Sequence, residues 1–517
     1  MSIFYLFLVG LFTQALRTAP TIKLFFPAGL FTASDFYNIR FNDSLFRSSK
    51  FQHSIFARTK LKDSNFSLSR FEQCNFYNAD CRDCTFTNTS WEGCFLESAF
   101  FENVDLTGAA LERCFLRNAR FHSVILQNLQ LSRSTLDRND FVDSRLENID
   151  LELPWDPCGH MNIQSCNFSN SILARITLQP KGSPAHFFSQ LASLRTEGNC
   201  PELRQCLFFG IEQQREIFQK RMDAFSPPRD MLFPSTGAAA QGHRSHPVWR
   251  DIENGAVILM DNSIFENSTL LIPYFYRVSL KQSVLINVQM DTALFFGTNM
   301  FGCIMPRANL LGARLWAVVL KSAVLKGAIL FNSYCKLVNF EDADLKNLHA
   351  SEASFHGCSF NRSDCSNIDL TRAIVQNSVF VDSILTGAEL TGAEFHSVCF
   401  DNSAANSMLA SYTRFQHCQL CGAGLSRSSF NSAIFEDCDF RLADCSDSTV
   451  ANVTFKRCSF AGCNFKNTRF VNVKIEDCSC LDSAEFEGVL FINLELKGTN
   501  RLLDKETVFP NASFKEI

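Results

Sequence analysis

The chain has 517 residues, 46% hydrophobic and 20% charged, with a formal net charge of −5, 53 phenylalanines and 22 cysteines. Charge is spread thinly, with 14 basic and 16 acidic residues in 31–151 and 19 basic and 24 acidic in 261–500. No segment is basic enough for a nucleic-acid binder, and none is acidic enough to stand out as a polyanion mimic.

Residues 1–30 open on an apolar run from Ile3 to Phe12. The run is shorter than the ~20 residues a membrane span needs. It lacks the basic n-region of a secretory leader. Leu6, Leu11, Leu16 and Phe26 already keep the register of the next segment. Residues 1–30 are therefore read as an N-terminal cap, with a cleaved leader as the alternative.

From Phe31 to Leu151 every fifth residue is apolar, and those 25 positions hold 13 Phe, 10 Leu, one Cys and one Trp. A period of five belongs to neither an amphipathic helix nor a flat strand. Sustained this long, it marks a solenoid. The residue two before each centre is small, as at Ser44, Ser49, Ser54, Thr59, Ser64, Ser69, Cys74 and Ala79. Each unit thus buries one large and one small side chain and turns the rest to water.

Residues 152–260 break the row. Pro154 and Pro157 stop it, and Phe168, Leu173 and Leu178 form a brief shifted row. The period then becomes helical. Residues 184–196 read as a short helix. A second helix starts at Pro201, with Leu203, Leu207, Ile211, Phe218, Met222 and Phe225 as its apolar stripe. Residues 226–250 hold four prolines and read as a linker. The expectation is a helical hairpin between two β-helical blocks. Coaxial stacking of the blocks, with the hairpin protruding, is the open alternative.

The five-residue row returns from Phe265 to Cys480, its 44 centres holding 17 Phe and 14 Leu. Small and large places exchange at Leu348/Ala350 and at Met408 between Ala405 and Ala410, which keeps core volume roughly constant. Past Cys480 the register slips by one, to Leu481, Phe486, Phe491 and Leu496. The second block is placed at 261–500. A tail at 501–517 caps its end.

The units Ala343-Asp344-Leu345, Ala308-Asn309-Leu310, Ala79-Asp80-Cys81 and Ala388-Glu389-Leu390 resemble those of the pentapeptide-repeat family. The resemblance implies an all-β solenoid, a right-handed quadrilateral β-helix with one pentapeptide per side and 20 residues per coil. Residues 20 apart should then stack. Glu436, Lys456 and Glu476 form one such column, and Asp437, Arg457, Asp477 and Lys497 its neighbour. Alternating signs across adjacent strands are favourable.

Most cysteines fall at inward places, eleven small and five large, with Cys166 at a matching place in the shifted row. Cys158, Cys200, Cys206, Cys399 and Cys421 lie outside the pattern. Buried free thiols in a reducing compartment are expected, because stacked side chains sit too far apart for good disulfide geometry. Chemical motifs are weak. Gly237 to Arg244 lacks the Lys and Ser/Thr of a phosphate loop. Cys200, Cys206, His243 and His246 have poor zinc spacing. His122, His356 and His396 each follow a centre and should point outward. No catalytic, cofactor or metal residue is assigned.

With a filled interior, function belongs to the faces, the ends or the insertion. The expected function is a non-enzymatic scaffold that binds a protein partner of unknown identity, a bacterial effector being one form. No sequence-specific nucleic-acid binding and no membrane span are expected. The expected setting is the cytoplasm or, after delivery, a host cell. The alternative follows from resemblance to DNA-mimicking pentapeptide proteins that bind gyrase.

Overall fold

The computed structural model describes residues 21–132, 134–147, 150–153, 161–162, 166–168, 172–174, 177–180, 258–271, 274–276, 278–498, 509 and 512–515. The expected hairpin at 184–225, the linker at 226–250 and residues 1–20 lie outside them, as does most of the tail.

The described chain is a parallel β-solenoid of about 18 turns. Its strands are mostly three residues long and pair with the residue 20 positions on, as in Phe31↔Phe51↔Phe71↔Trp91↔Leu111. Strands stay short because each unit ends at a corner with positive φ, for example Asn78 at 55°, Asp83 at 54° and Asn88 at 53°. Asn and Asp recur there because they tolerate the left-handed region. Backbone polar groups are satisfied by the coils on either side. The Phe36 N–H donates to the Ile55 carbonyl at 2.8 Å, and the Ile55 N–H to the Ser34 carbonyl at 2.9 Å.

Inside, the large residues stack in columns. Phe51 lies on Phe71 at 5.1 Å with planes 7° apart, and Phe360 on Phe380 at 4.3 Å and 3°. Leu348 and Ala350 are both fully buried, so the exchange of large and small places holds. The second exchange is slightly imperfect. Ala405 and Met408 border a void of about 10 Å³, room for about one water.

The two blocks form one ladder. Asp140 bridges Asn167, which bridges Ile264. Phe141, Phe168 and Phe265 stack in sequence at 5.3 and 5.0 Å. Met161–Asn162 pairs with Ile258–Leu259, and Ile172–Ala174 with Thr269–Leu271. These pairs are separated by 97 residues, so the chain leaves a 20-residue coil for 77 residues (97 − 20) and returns in register. The blocks are therefore coaxial.

One inward placement is corrected. Cys480 is exposed, with φ 59°, and opens a 3-10 turn at Leu481–Ser483. Leu481 takes the core place instead, 4% exposed. The extra residue shows in the ladder, where Asn464 bridges Glu485 rather than residue 484. At the far end Phe509 packs on Phe486 and Phe491, and Ser513–Lys515 pairs with Leu490–Ile492.

Candidate interaction surfaces

The outer faces carry the expected charge ladders. Lys456 Nζ lies 3.1 Å from Glu436, and Arg457 reaches Glu436 at 2.9 Å and Asp437 at 2.6 Å. Gln416 donates to Glu436 at 3.0 Å. The amide of Gln416, then Lys456 and Arg457, hold the Glu436 carboxyl down at about 2. Arg457 also holds Asp437 below its ordinary value. The neighbouring acids are partnered too: Asp439 by Arg441 at 2.7 Å, Asp444 by Asn464 at 2.9 Å and Asp447 by Asn467 at 3.2 Å. Glu436, Asp437 and Asp439 are thus met by Lys456, Arg457 and Arg441, while Asp444 and Asp447 are hydrogen-bonded by neutral amides.

His122, His356 and His396 do stand on outward strand positions. His122 faces Asp143 at 3.6 Å, His356 lies 5.1 Å from the Tyr334 ring, and His396 meets His417 edge to face at 5.4 Å. His356 and His396 share one column through Gln376. None of these contacts supplies a nucleophile. Among the described residues no group of three His, Cys, Asp or Glu side chains is arranged to hold a metal ion.

All 19 described cysteines are free; 17 are buried, Cys421 is half-buried and Cys480 exposed. The inward thiols bond to backbone of adjacent coils, as Cys303 does to the Leu280 carbonyl at 2.7 Å. Burial pushes Cys303 and Cys358 up to about 12, so they are inert thiols at neutral pH. Cys399, which the repeat does not place, is also buried; loss of hydration raises it to about 12. Its neighbour Cys421 donates its backbone N–H to Asp401 at 2.9 Å. Cys158, Cys200, Cys206, His243, His246 and the 237–244 loop lie outside the described residues.

Sequence reasoning missed one surface. Val319 and Ala317 sit on the outer side of the wall, yet they are 0% and 7% exposed and form an apolar cluster with Trp316 that is separate from the core. Trp316 meets Phe296 edge to face at 4.5 Å. Asn299, Lys336, Leu337 and Asn339 around them are buried as well. The signal was present in the corner column. Gly297, Ala317, Leu337 and Gly357 stand where Asn377, Ser397, His417 and Asp437 follow higher up.

The pentapeptide-repeat family model matches this chain in eight copies, over 39–78, 54–90, 79–118, 114–152, 339–377, 411–444 and 438–477. The chain belongs to the pentapeptide-repeat family. The quadrilateral β-helix that the resemblance implied is thus the fold of this family member, and its ladder runs on through coils the family model leaves unmatched. No curated protein sequence matches the chain. Similar solved structures include HetL, a pentapeptide repeat protein involved in heterocyst differentiation regulation in the cyanobacterium Nostoc sp. strain PCC 7120. It is 15% identical, with 42% of this chain and 90% of HetL covered and a TM-score of 0.22. QnrB1, a plasmid-mediated fluoroquinolone resistance protein, is 14% identical over 46% of this chain and 93% of its own, with a TM-score of 0.17. The family 6 alginate lyase AlyGC is 10% identical over 97% and 83%, with a TM-score of 0.19. Likeness at this level carries no functional argument.

Proposed function

We propose that this pentapeptide-repeat protein is a non-catalytic scaffold that presents the outer faces of its β-helix to a protein partner. The observation that carries this reading is the filled interior. The stacked Phe and Leu columns leave no ligand-sized space along the described axis, so recognition falls to the exterior. Large side chains are available there. Phe95 and Phe115, each about half-exposed, stack on adjacent coils at 5.0 Å, with Ile55 in the same column. Such an apolar strip amid polar residues suits a protein partner. No described helix is long and apolar enough to cross a membrane. The free buried thiols support a reducing compartment.

The DNA-mimic alternative requires a continuous acidic face. The Glu436 and Asp437 columns alternate with Lys and Arg, and where Glu72, Glu92 and Glu112 stack directly on one another Lys50, Arg70 and Arg113 pair with them, which favours the scaffold reading. The test is a pull-down with the full chain, the F95D/F115D variant, and a variant lacking 184–225. Loss of bound partners with F95D/F115D supports recognition by the wall. An identical set of partners from all three baits sinks the reading that these surfaces select them.

A further inference from the structure

One outer face of the second block carries an apolar strip. Ile264, Val284, Ile304 and Val324 stand directly above one another, each the outward residue of its coil. Asn167 lies below the strip and Asp344 above it. All four side chains are partly exposed, Ile304 at 42%. The coil itself does not need them. The same column continues in the same register through Asp344, Asp364, Ile384, Ala404 and Gly424. A contiguous apolar patch left open to water marks a contact with another molecule.

The rims of the strip fix the charge of what it takes. Pro306, Arg307 and Lys326 stand at one corner, and Phe301, 37% exposed, and Lys321 at the other. Arg307 and Lys326 are exposed and lie on adjacent coils, the Arg307 N–H donating to the Lys326 carbonyl at 3.0 Å. Neither side chain has an ion-pair or hydrogen-bond partner among the described residues. The bases around them are taken. Lys321 is held by Glu341 at 3.1 Å and Asp342 at 3.6 Å, Lys346 by Asp364 at 2.9 Å and Arg362 by Asp342 at 2.7 Å. The acids nearest the strip lie at its ends, Glu266 beside Ile264 and Asp344 above Val324. Unpaired positive charge therefore borders the middle of the strip, and an acidic partner complements it.

Spacing selects the form of that partner. Successive coils set the apolar residues ~4.8 Å apart. A helix repeats its apolar stripe every ~5.4 Å, so three turns match three coil steps to within about 2 Å. Alternate residues of an extended strand recur every ~6.7 Å and fall out of step with the column within one or two repeats.

We infer that the Ile264–Val324 face docks an amphipathic helix of another protein, with its apolar stripe along the column and its acidic flank against Arg307 and Lys326. This surface is separate from the Phe95 and Phe115 strip, so the two readings stand or fall independently.

Fluorescence anisotropy with the full chain tests it. The probes are a labelled synthetic helix with a leucine stripe flanked by glutamates, and its twin with lysines in place of the glutamates. The glutamate helix should bind several-fold more tightly than the twin, and R307E/K326E should reverse that preference. Glu352 stands at an equivalent corner with φ 58°, so the coil accepts glutamate there. I304S/V324S should lose the glutamate helix, and it decides the matter if R307E/K326E fails to fold. F95D/F115D should bind it as the unmodified chain does. Equal binding of the two helices overturns the inference, as does unchanged binding by I304S/V324S or an unreversed preference in folded R307E/K326E. Capture of phosphatidylserine vesicles without binding of the glutamate helix also overturns it, and assigns the face to a membrane surface.

Discussion

Residues 34–76 and 303–350 build the same coil from different materials. The first stretch pairs Phe centres with hydroxyl side chains at the small place. The second pairs mainly Leu centres with Ala. In the first, flat rings stack face to face, Phe46 on Phe66 at 4.9 Å and Phe66 on Phe86 at 5.0 Å. Its small residues also bond across coils. The Ser69 hydroxyl donates to the Phe46 carbonyl at 2.6 Å, and Thr59 to the Phe36 carbonyl at 2.7 Å. In the second, Ala308, Ala313, Ala323 and Ala328 are fully buried and offer no such bond. The register is 20 residues in both. Coil geometry is thus set by the backbone ladder and its left-handed corners, while the filling can vary as long as the volume per unit is kept.

The strongest break in that comparison is Phe66→Ala, which deletes a fully buried ring from a stack. It should cost about 3–5 kcal/mol, read from the denaturant midpoint. A cost no larger than that of exposed Phe95→Ala would mean that the stack does not hold the first block. Next, Leu348→Ala should cost about 2–5 kcal/mol. Adding Ala350→Leu to it should bring the loss to within about 1.5 kcal/mol, because volume is restored. A double variant as weak as the single one would refute conservation of volume per unit. Ser69→Ala should cost about 1 kcal/mol through the lost bond to Phe46. No change would make the hydroxyl column incidental.

The smallest effect concerns the outer ladder. Arg457→Gln should raise the Glu436 carboxyl from about 2 toward the ordinary range, followed by NMR titration. Gln416 and Lys456 remain in place, so the rise should be partial. The sign for stability follows from the lowered folded-state value. The contribution of Glu436 is present above its unfolded pKa near 4.5 and is lost as pH falls toward about 2. A Glu436 that titrates identically in both proteins would show that Arg457 does not hold it.

Much of this was legible before any coordinates. The five-residue row gives the inward centres and the small column, because a repeated backbone shape forces a repeated side-chain direction, and the 20-residue coil came with the family resemblance. The slip near Cys480 was visible as a one-residue shift in the row. Its consequence for Cys480 was not, because a single extra residue can be expelled at either side of the slip. The outer surface was legible only where charge alternates in columns. The covered wall was missed because the repeat rule assigns Val319 and Leu337 to water by position, and only tertiary burial contradicts it.

The sequence, with the family resemblance it carries, therefore determined the fold, the register and the alternating charges of the Glu436 and Asp437 columns, all of which follow from contacts between residues 20 apart. The tertiary structure decided two things that depend on contacts at no fixed spacing. One is that the blocks join as a single coaxial ladder across 77 added residues. The other is that one outward column is sealed from water, since burial of an outward side chain depends on what lies over it and not on its place in the repeat.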